Sequence, residues 1–127
     1  MGLKEKQALA GLDFGWAERR IKEYTGSDIK FVADGASFSD DLEAIYMVVN
    51  QGSDYMANAI ASICNDAIGK EAFNGKGVTQ ISLINVKDGS AKVAFNGNVL
   101  ELYGTWGENN RKYLSAGDIQ RELENVL

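Results

Sequence analysis

The stretch ISLINVKDGSAKVAFNGNVLELYG, Ile81 to Gly104, decides the fold. Apolar and polar residues alternate along it in three runs, the period-two signature of strands with one buried face. Asp88-Gly89 and Asn96-Gly97 fall between the runs, and Asp-Gly and Asn-Gly are the preferred pairs of two-residue hairpin turns. Read as such turns, they set a register. Val86 pairs with Ala91, Ile84 with Val93 and Ser82 with Phe95; across the second turn Val93 pairs with Leu100, Ala91 with Leu102 and Phe95 with Asn98. One face then collects Ile84, Val86, Ala91, Val93, Phe95, Leu100 and Leu102 as a core surface, and Lys92 stands across from Glu101 as a cross-strand charge pair. The other face carries Ile81, Leu83, Ala94 and Val99, with Tyr103 nearby. Solvated sheet faces usually avoid such a patch, so Ile81, Leu83, Val99 and Tyr103 are candidates for a self-association face, with a homodimer as the expected assembly. The competing reading is that the first helix or first strand covers them.

Working outward, LSAGDIQRELENVL carries the signature of a capped helix: Ser115 at the N-cap, Asp118 at the third helical position, and Leu114 with Ile119 as a staple. Ile119, Leu123, Val126 and Leu127 form its expected buried stripe. Upstream, Leu9, Leu12, Trp16, Ala17, Ile21 and Tyr24 recur on one helical face and Gly26 stops it, predicting a helix over residues 3–25 that Gly11 and Gly15 weaken. DIKFVAD reads as a short strand. Asp40 and Glu43 fit a capping pair for a helix through Leu42, Ile45, Tyr46 and Val49, although AIYMVV is apolar on all sides and also fits a buried strand. NQGS interrupts it, and Ser53 is placed to cap a long, alanine-rich helix carrying Met56, Ile60, Ile63, Cys64 and Ala67, which FNGKG ends. The order α-β-α-α-β-β-β-α predicts one α+β domain over residues 1–127: a three-stranded antiparallel meander, plus one short N-terminal strand, with helices packed on one face.

Composition narrows the chemistry. The 127 residues include no histidine, no proline and one cysteine. That removes Ser-His-Asp and Cys-His catalysis, histidine metal ligation, intramolecular disulfides and cysteine-based zinc sites. Cys64 lies on the apolar side of its helix, where a cysteine is ordinarily a small core residue. No apolar run approaches the roughly 20 residues that span a bilayer, and MGLKEKQALAG lacks the apolar segment of a signal peptide, so the expectation is a cytoplasmic protein without a membrane partner. Gly2 is not followed at the sixth position by Ser or Thr, which argues against myristoylation.

Charge is unevenly spread. Residues 1–30 carry a net +1, residues 31–69 carry six acids and no base, and residues 70–127 carry seven of each, which together make the net −5. Nothing resembles the Lys/Arg stripe of a nucleic-acid-binding surface, so no nucleic-acid partner is expected.

The acidic third opens at FVADGASFSDDLE, with Asp34, Asp40, Asp41 and Glu43. Spacing from Asp34 onward fails the EF-hand pattern, and no metal or cofactor is assigned. Two facing acids could hydrolyse a glycosidic bond, but linear spacing gives no sign that these converge. Acids at a helix start are favoured by the dipole and as caps, which accounts for Asp40, Asp41 and Glu43 locally. Caps leave unexplained why no base follows before residue 70. In YGTWGENNRKY, Trp106 and Arg111 are residue types enriched at interaction hot spots, although Trp106 also suits a lid over the sheet edge. GKG in FNGKGVTQ lacks the spacing of a phosphate loop.

The functional expectation is a non-enzymatic interaction protein whose acidic surface meets a basic protein partner, analogous in charge and size alone to inhibitors and immunity partners of basic enzymes. Asp34, Asp40, Asp41, Glu43, Trp106 and Arg111 are its candidate partner-binding residues, and no catalytic residue is assigned. The alternative is a small-ligand pocket, or a carboxylate-based enzyme, between sheet and helices.

Overall fold

The hairpin between β3 (Lys92–Asn96) and β4 (Val99–Gly104) is antiparallel, but β2 (Gln80–Asn85) does not lie beside β3. The computed structural model describes residues 2–127. With β1 (Lys30–Ala33) the strands form a four-stranded mixed sheet in the order β1-β2-β4-β3. β1 pairs parallel with β2, and β2 pairs parallel with β4. The expected antiparallel meander is therefore corrected: β4 sits between β2 and β3. The connection Val86–Ala91 does hold a turn at Asp88-Gly89, where Asp88 Oδ1 accepts from Ser90 N at 3.0 Å and Gly89 adopts φ +79°. That turn reverses the chain over the end of β4 instead of closing a two-residue hairpin.

Two further consequences follow for the register. Val93 stands opposite Leu102, not Leu100, a slip of two residues that leaves both on the same face. The slip arises because Gly97, with φ +60°, takes the first central position of the turn and Asn98 the second, as in a type II′ turn. Lys92 accordingly faces Tyr103, its ammonium 4.8 Å from the ring centroid, while Glu101 faces Ala94. The longer β2–β3 connection also changes the parity of β2. Ile81 and Leu83 point into the core at 0% exposure beside Leu100 and Leu102, so these two candidates for a self-association face are core residues. Ile84 takes the opposite face. Val99 and Tyr103 remain on the face that carries Ser82, Ile84 and Glu101.

The helices are α1 (Leu3–Ala10), α2 (Gly15–Thr25), α3 (Leu42–Val48), α4 (Asp54–Ile63), α5 (Ala67–Gly75) and α6 (Ala116–Val126). The single helix expected over residues 3–25 is broken after Gly11, and Asp13 Oδ1 accepts from Gly15 N at 2.8 Å to start the second piece. Gly26 does stop α2, in the left-handed conformation. AIYMVV is helical, with Asp41 rather than Asp40 as its N-cap, accepting from Ala44 N. Ser115 caps α6 through Asp118 N, and Ile119 and Leu123 are fully buried, whereas Val126 is exposed. Among the described residues no helix is long and apolar enough to cross a membrane.

NQGS does not break the chain's helix. Val49–Ser53 form a π-helical turn that carries α3 into α4, and Ser53, with helical dihedrals and a hydroxyl donating to Val49 O, is not a cap. The reason lies 55 residues away. Trp106 is 0% exposed, its Nε1–H donates to Gln51 O at 3.3 Å, and its ring stacks on Phe38 at 6.2 Å between centroids. A Cβ on Gly52 would lie 3.2 Å from the indole, and one on Gly104 only 2.7 Å from it. The indole thus fills a slot that glycine opens on both sides, one wall helical and one wall sheet.

Gly104→Ala should therefore destabilise the fold by about 1–3 kcal/mol through overpacking of the slot. Gly75→Ala, where a Cβ meets nothing within 4 Å, should leave stability unchanged or slightly raised. Urea unfolding midpoints of the two variants check this; equal midpoints would remove the slot from the account.

Candidate functional site

β1, β2 and β4 run parallel, so their carboxyl ends lie along one edge of the sheet. In open sheets that edge is where ligands gather, because the loops leaving the strands converge there. Three segments meet at this edge: Asp34–Asp41, the end of β2 with Val86–Ala91, and Thr105–Lys112.

Asn85, the last residue of β2, joins the first and third of these. It is 5% exposed, and its side-chain amide donates to Ser37 O at 3.2 Å and Asp41 Oδ2 at 3.1 Å. Its Oδ1 accepts from Trp106 N at 3.2 Å, and its own N–H donates to Ser37 Oγ at 3.0 Å. Thr105 joins the second and third: its N–H and C=O exchange hydrogen bonds with Lys112, its Oγ1 donates to Ser90 O, and the same oxygen accepts from Gly89 N. A buried polar residue at a strand end must satisfy its groups, and these two do so by fastening loops.

The candidate partner-binding residues divide. Asp41 is half-buried and committed internally, one oxygen capping α3 and the other accepting from Asn85; a Cβ on Gly107 would run into this carboxylate. Trp106 is buried and presents no ring to solvent. Arg111 donates through Nε to Trp106 O and Gly107 O, both at 3.2 Å, and through Nη2 to Glu43 Oε2 at 3.2 Å. The acidic segment thus receives one base from the far end of the chain, an exposed pair of modest energetic value. Asp34 and Asp40 are exposed and form no salt bridge among the described residues.

Between these segments opens a surface cavity of about 560 Å³. Four lining residues are acidic, Asp40, Asp41, Glu43 and Glu108; one is basic, Lys87; Leu42, Thr105 and Asn109 complete the wall. Lys87, Thr105, Glu108, Asn109 and the Asn85 clamp were not among the residues singled out from sequence. The only available signal was Asn85 itself, a polar residue in an otherwise apolar run, and the inverted parity of β2 hid it. Among the described residues no group of three or more acids, Cys or His is placed to hold a metal ion.

Cys64 and Asp54, both perturbed by burial, lie away from this edge. Burial pushes the Cys64 thiol up, with a smaller opposing pull from Lys70, the opposite of what an active thiolate requires. Burial also raises the Asp54 carboxyl above its ordinary value, and Asp54 Oδ1 is a buried oxygen without a hydrogen-bond partner among the described residues.

Comparison with family models, curated proteins and solved structures yields no significant match.

Two outcomes are expected. Asn85→Ala leaves the Trp106 N–H and the Ser37 carbonyl without their partner and should cost about 2–4 kcal/mol, read as a lower urea midpoint. Asp54→Asn should raise the melting temperature at pH 7. A raised carboxyl pKa means ionisation opposes folding: the penalty is absent below the unfolded value near 3.8, sets in as pH rises through the folded value, and is full above it. The gain in Asp54→Asn should therefore shrink as pH falls through the raised folded value and vanish below about 4, and a gain independent of pH would refute this origin.

Proposed function

We propose that the chain is a non-enzymatic binding protein of the cytoplasm that receives basic side chains of a protein partner at the carboxyl edge of its sheet. The observation that carries this reading is the cavity wall, four carboxylates against one ammonium, set between loops that Asn85 and Thr105 hold in place. A preorganised acidic concavity attracts Lys and Arg from solution and lowers the ordering cost of binding them. Asp34, exposed and without a salt bridge among the described residues, extends the negative field beyond the cavity. Arg111, tied to Glu43 and to two backbone carbonyls, supports the wall from behind. Asp41, tied to Ala44 and Asn85, adds its charge to the wall from a fixed position, and Trp106 acts through the scaffold.

The cavity's size also suits a small cationic ligand, and its position beyond three parallel strand ends favours this second reading. Calorimetric titration separates the two. A hexa-arginine peptide should bind with an affinity that falls steeply from 50 to 300 mM salt, and Asp40→Asn/Glu43→Gln/Glu108→Gln should weaken it by on the order of tenfold. Free arginine or spermidine binding as tightly as the peptide favours the small ligand. Binding to neither, or binding indifferent to salt, sinks both.

A further inference from the structure

One face of the sheet is covered by the helices; the other, carrying Val32, Ser82, Ile84, Ala94, Val99 and Tyr103, is covered by no part of the described chain. From this arrangement we infer that the open face is the interface of a symmetric dimer, occupied by a second copy of this chain.

The cross-strand register supplies the argument. Val32, Ser82, Glu101 and Ala94 stand side by side in one row across β1, β2, β4 and β3. The next row holds Ile84, Tyr103 and Lys92, and Asp34 enters it one step beyond β1, its N–H bonded to Leu83 O. A two-fold axis parallel to the strands lays β1 over β3 of the second copy and β2 over its β4. In these two rows the pairs are then matched by chemistry, Val32 on Ala94, Ser82 hydroxyl on Glu101 carboxylate, Ile84 on Tyr103, and Asp34 on Lys92, each occurring twice; the third row sets Lys30 on Asn96 and Gln80 on Val99. Face-to-face sheets pack about 10 Å apart, within the combined reach of an aspartate and a lysine.

The sheet's edges point the same way. Along β1 the outward N–H of Phe31 is taken by Glu18 Oε2 at 2.9 Å, and along β3 that of Val93 is taken by Glu122 Oε1 at 3.3 Å. A carboxylate on each edge opposes addition of another strand, so self-association is directed to the face. Four strands about 4.8 Å apart and about 20 Å long offer a footprint of about 400 Å² per copy. The resulting total of about 800 Å² lies below the usual size of stable specific interfaces and in the range of weak, transient ones, so the dimer forms reversibly and only at high protein concentration.

Sedimentation velocity from about 10 μM to 1 mM should show a reversible monomer–dimer exchange. Ala94→Arg, whose guanidinium meets Glu101 of its own sheet and spares the monomer, should abolish it; Asp34→Lys should weaken it by about tenfold; Glu18→Ala should leave the monomer–dimer constant of the face unchanged. Circular dichroism melts confirm that each variant is folded, and Val32→Glu replaces Ala94→Arg should that one unfold. A chain monomeric up to 1 mM overturns the inference, as does a dimer that survives both face substitutions.

Discussion

A single indole fastens the helical layer to the sheet. Trp106 leaves β4 just as the strand ends and turns into a slot whose walls are backbone, Gly104 on one side and Gly52 on the other, with Phe38 beneath. Glycine at both positions lets a large ring approach main chain without intervening side chains, and the ring fills that space completely. The helical wall meets it at the π turn Val49–Ser53, where the Gln51 carbonyl accepts from the indole N–H. Mid-helix π turns are commonly found near functional positions, and here the turn is bonded to Trp106, which belongs to one of the loops around the acidic cavity. The main-chain N–H of the same tryptophan is held by Asn85, so the indole slot and the loop clamp share one residue.

This arrangement gives the carboxyl edge its character. Loops over strand ends are usually the mobile part of a sheet protein, because their backbone groups face water. Here the three segments are cross-tied by buried side chains, Asn85 for two of them and Thr105 for the third. These ties hold the backbone of the loops that carry Asp40, Asp41 and Glu108. That matters for recognition by charge, since flexible acidic side chains lose in ordering entropy what they gain in attraction.

Much of the secondary structure was legible locally and the topology was not. Gly26, Asp41 or its neighbour, and Ser115 mark helix ends through short-range chemistry that any chain would show. The faces of β3 and β4 were likewise readable from alternation. Alternation is blind to a slip of two residues, however, and so Val93 stands opposite Leu102. Asp88-Gly89 specifies that the chain turns, not how many strands lie between its arms. The insertion of β4 satisfies the backbone of the apolar run VLELY on both sides, a gain that appears only when β2 and β3 are considered together. At the site, the acids were visible as a charge asymmetry. Their division into structural Asp41 and exposed Asp34 and Asp40 was not, because it depends on Asn85, whose facing follows from the topology. The π turn had no local cause to read, its reason being a tryptophan far along the chain.

The placement of β4 also bears on how the chain can assemble. β1 and β2 are made first, fifty residues apart in pairing, and together they form only a short parallel pair. Their remaining partner, β4, is synthesised after β3, with which it closes a local hairpin in the microsecond range typical of such turns. Only when that hairpin slides in, with β4 against β2, is the sheet complete and the helices of the long crossover given a surface to cover. Trp106 is the next residue but one after β4. The element that completes the sheet and the ring that locks it to the helices are thus delivered together, after every other strand and five of the six helices, and folding of this domain waits on them.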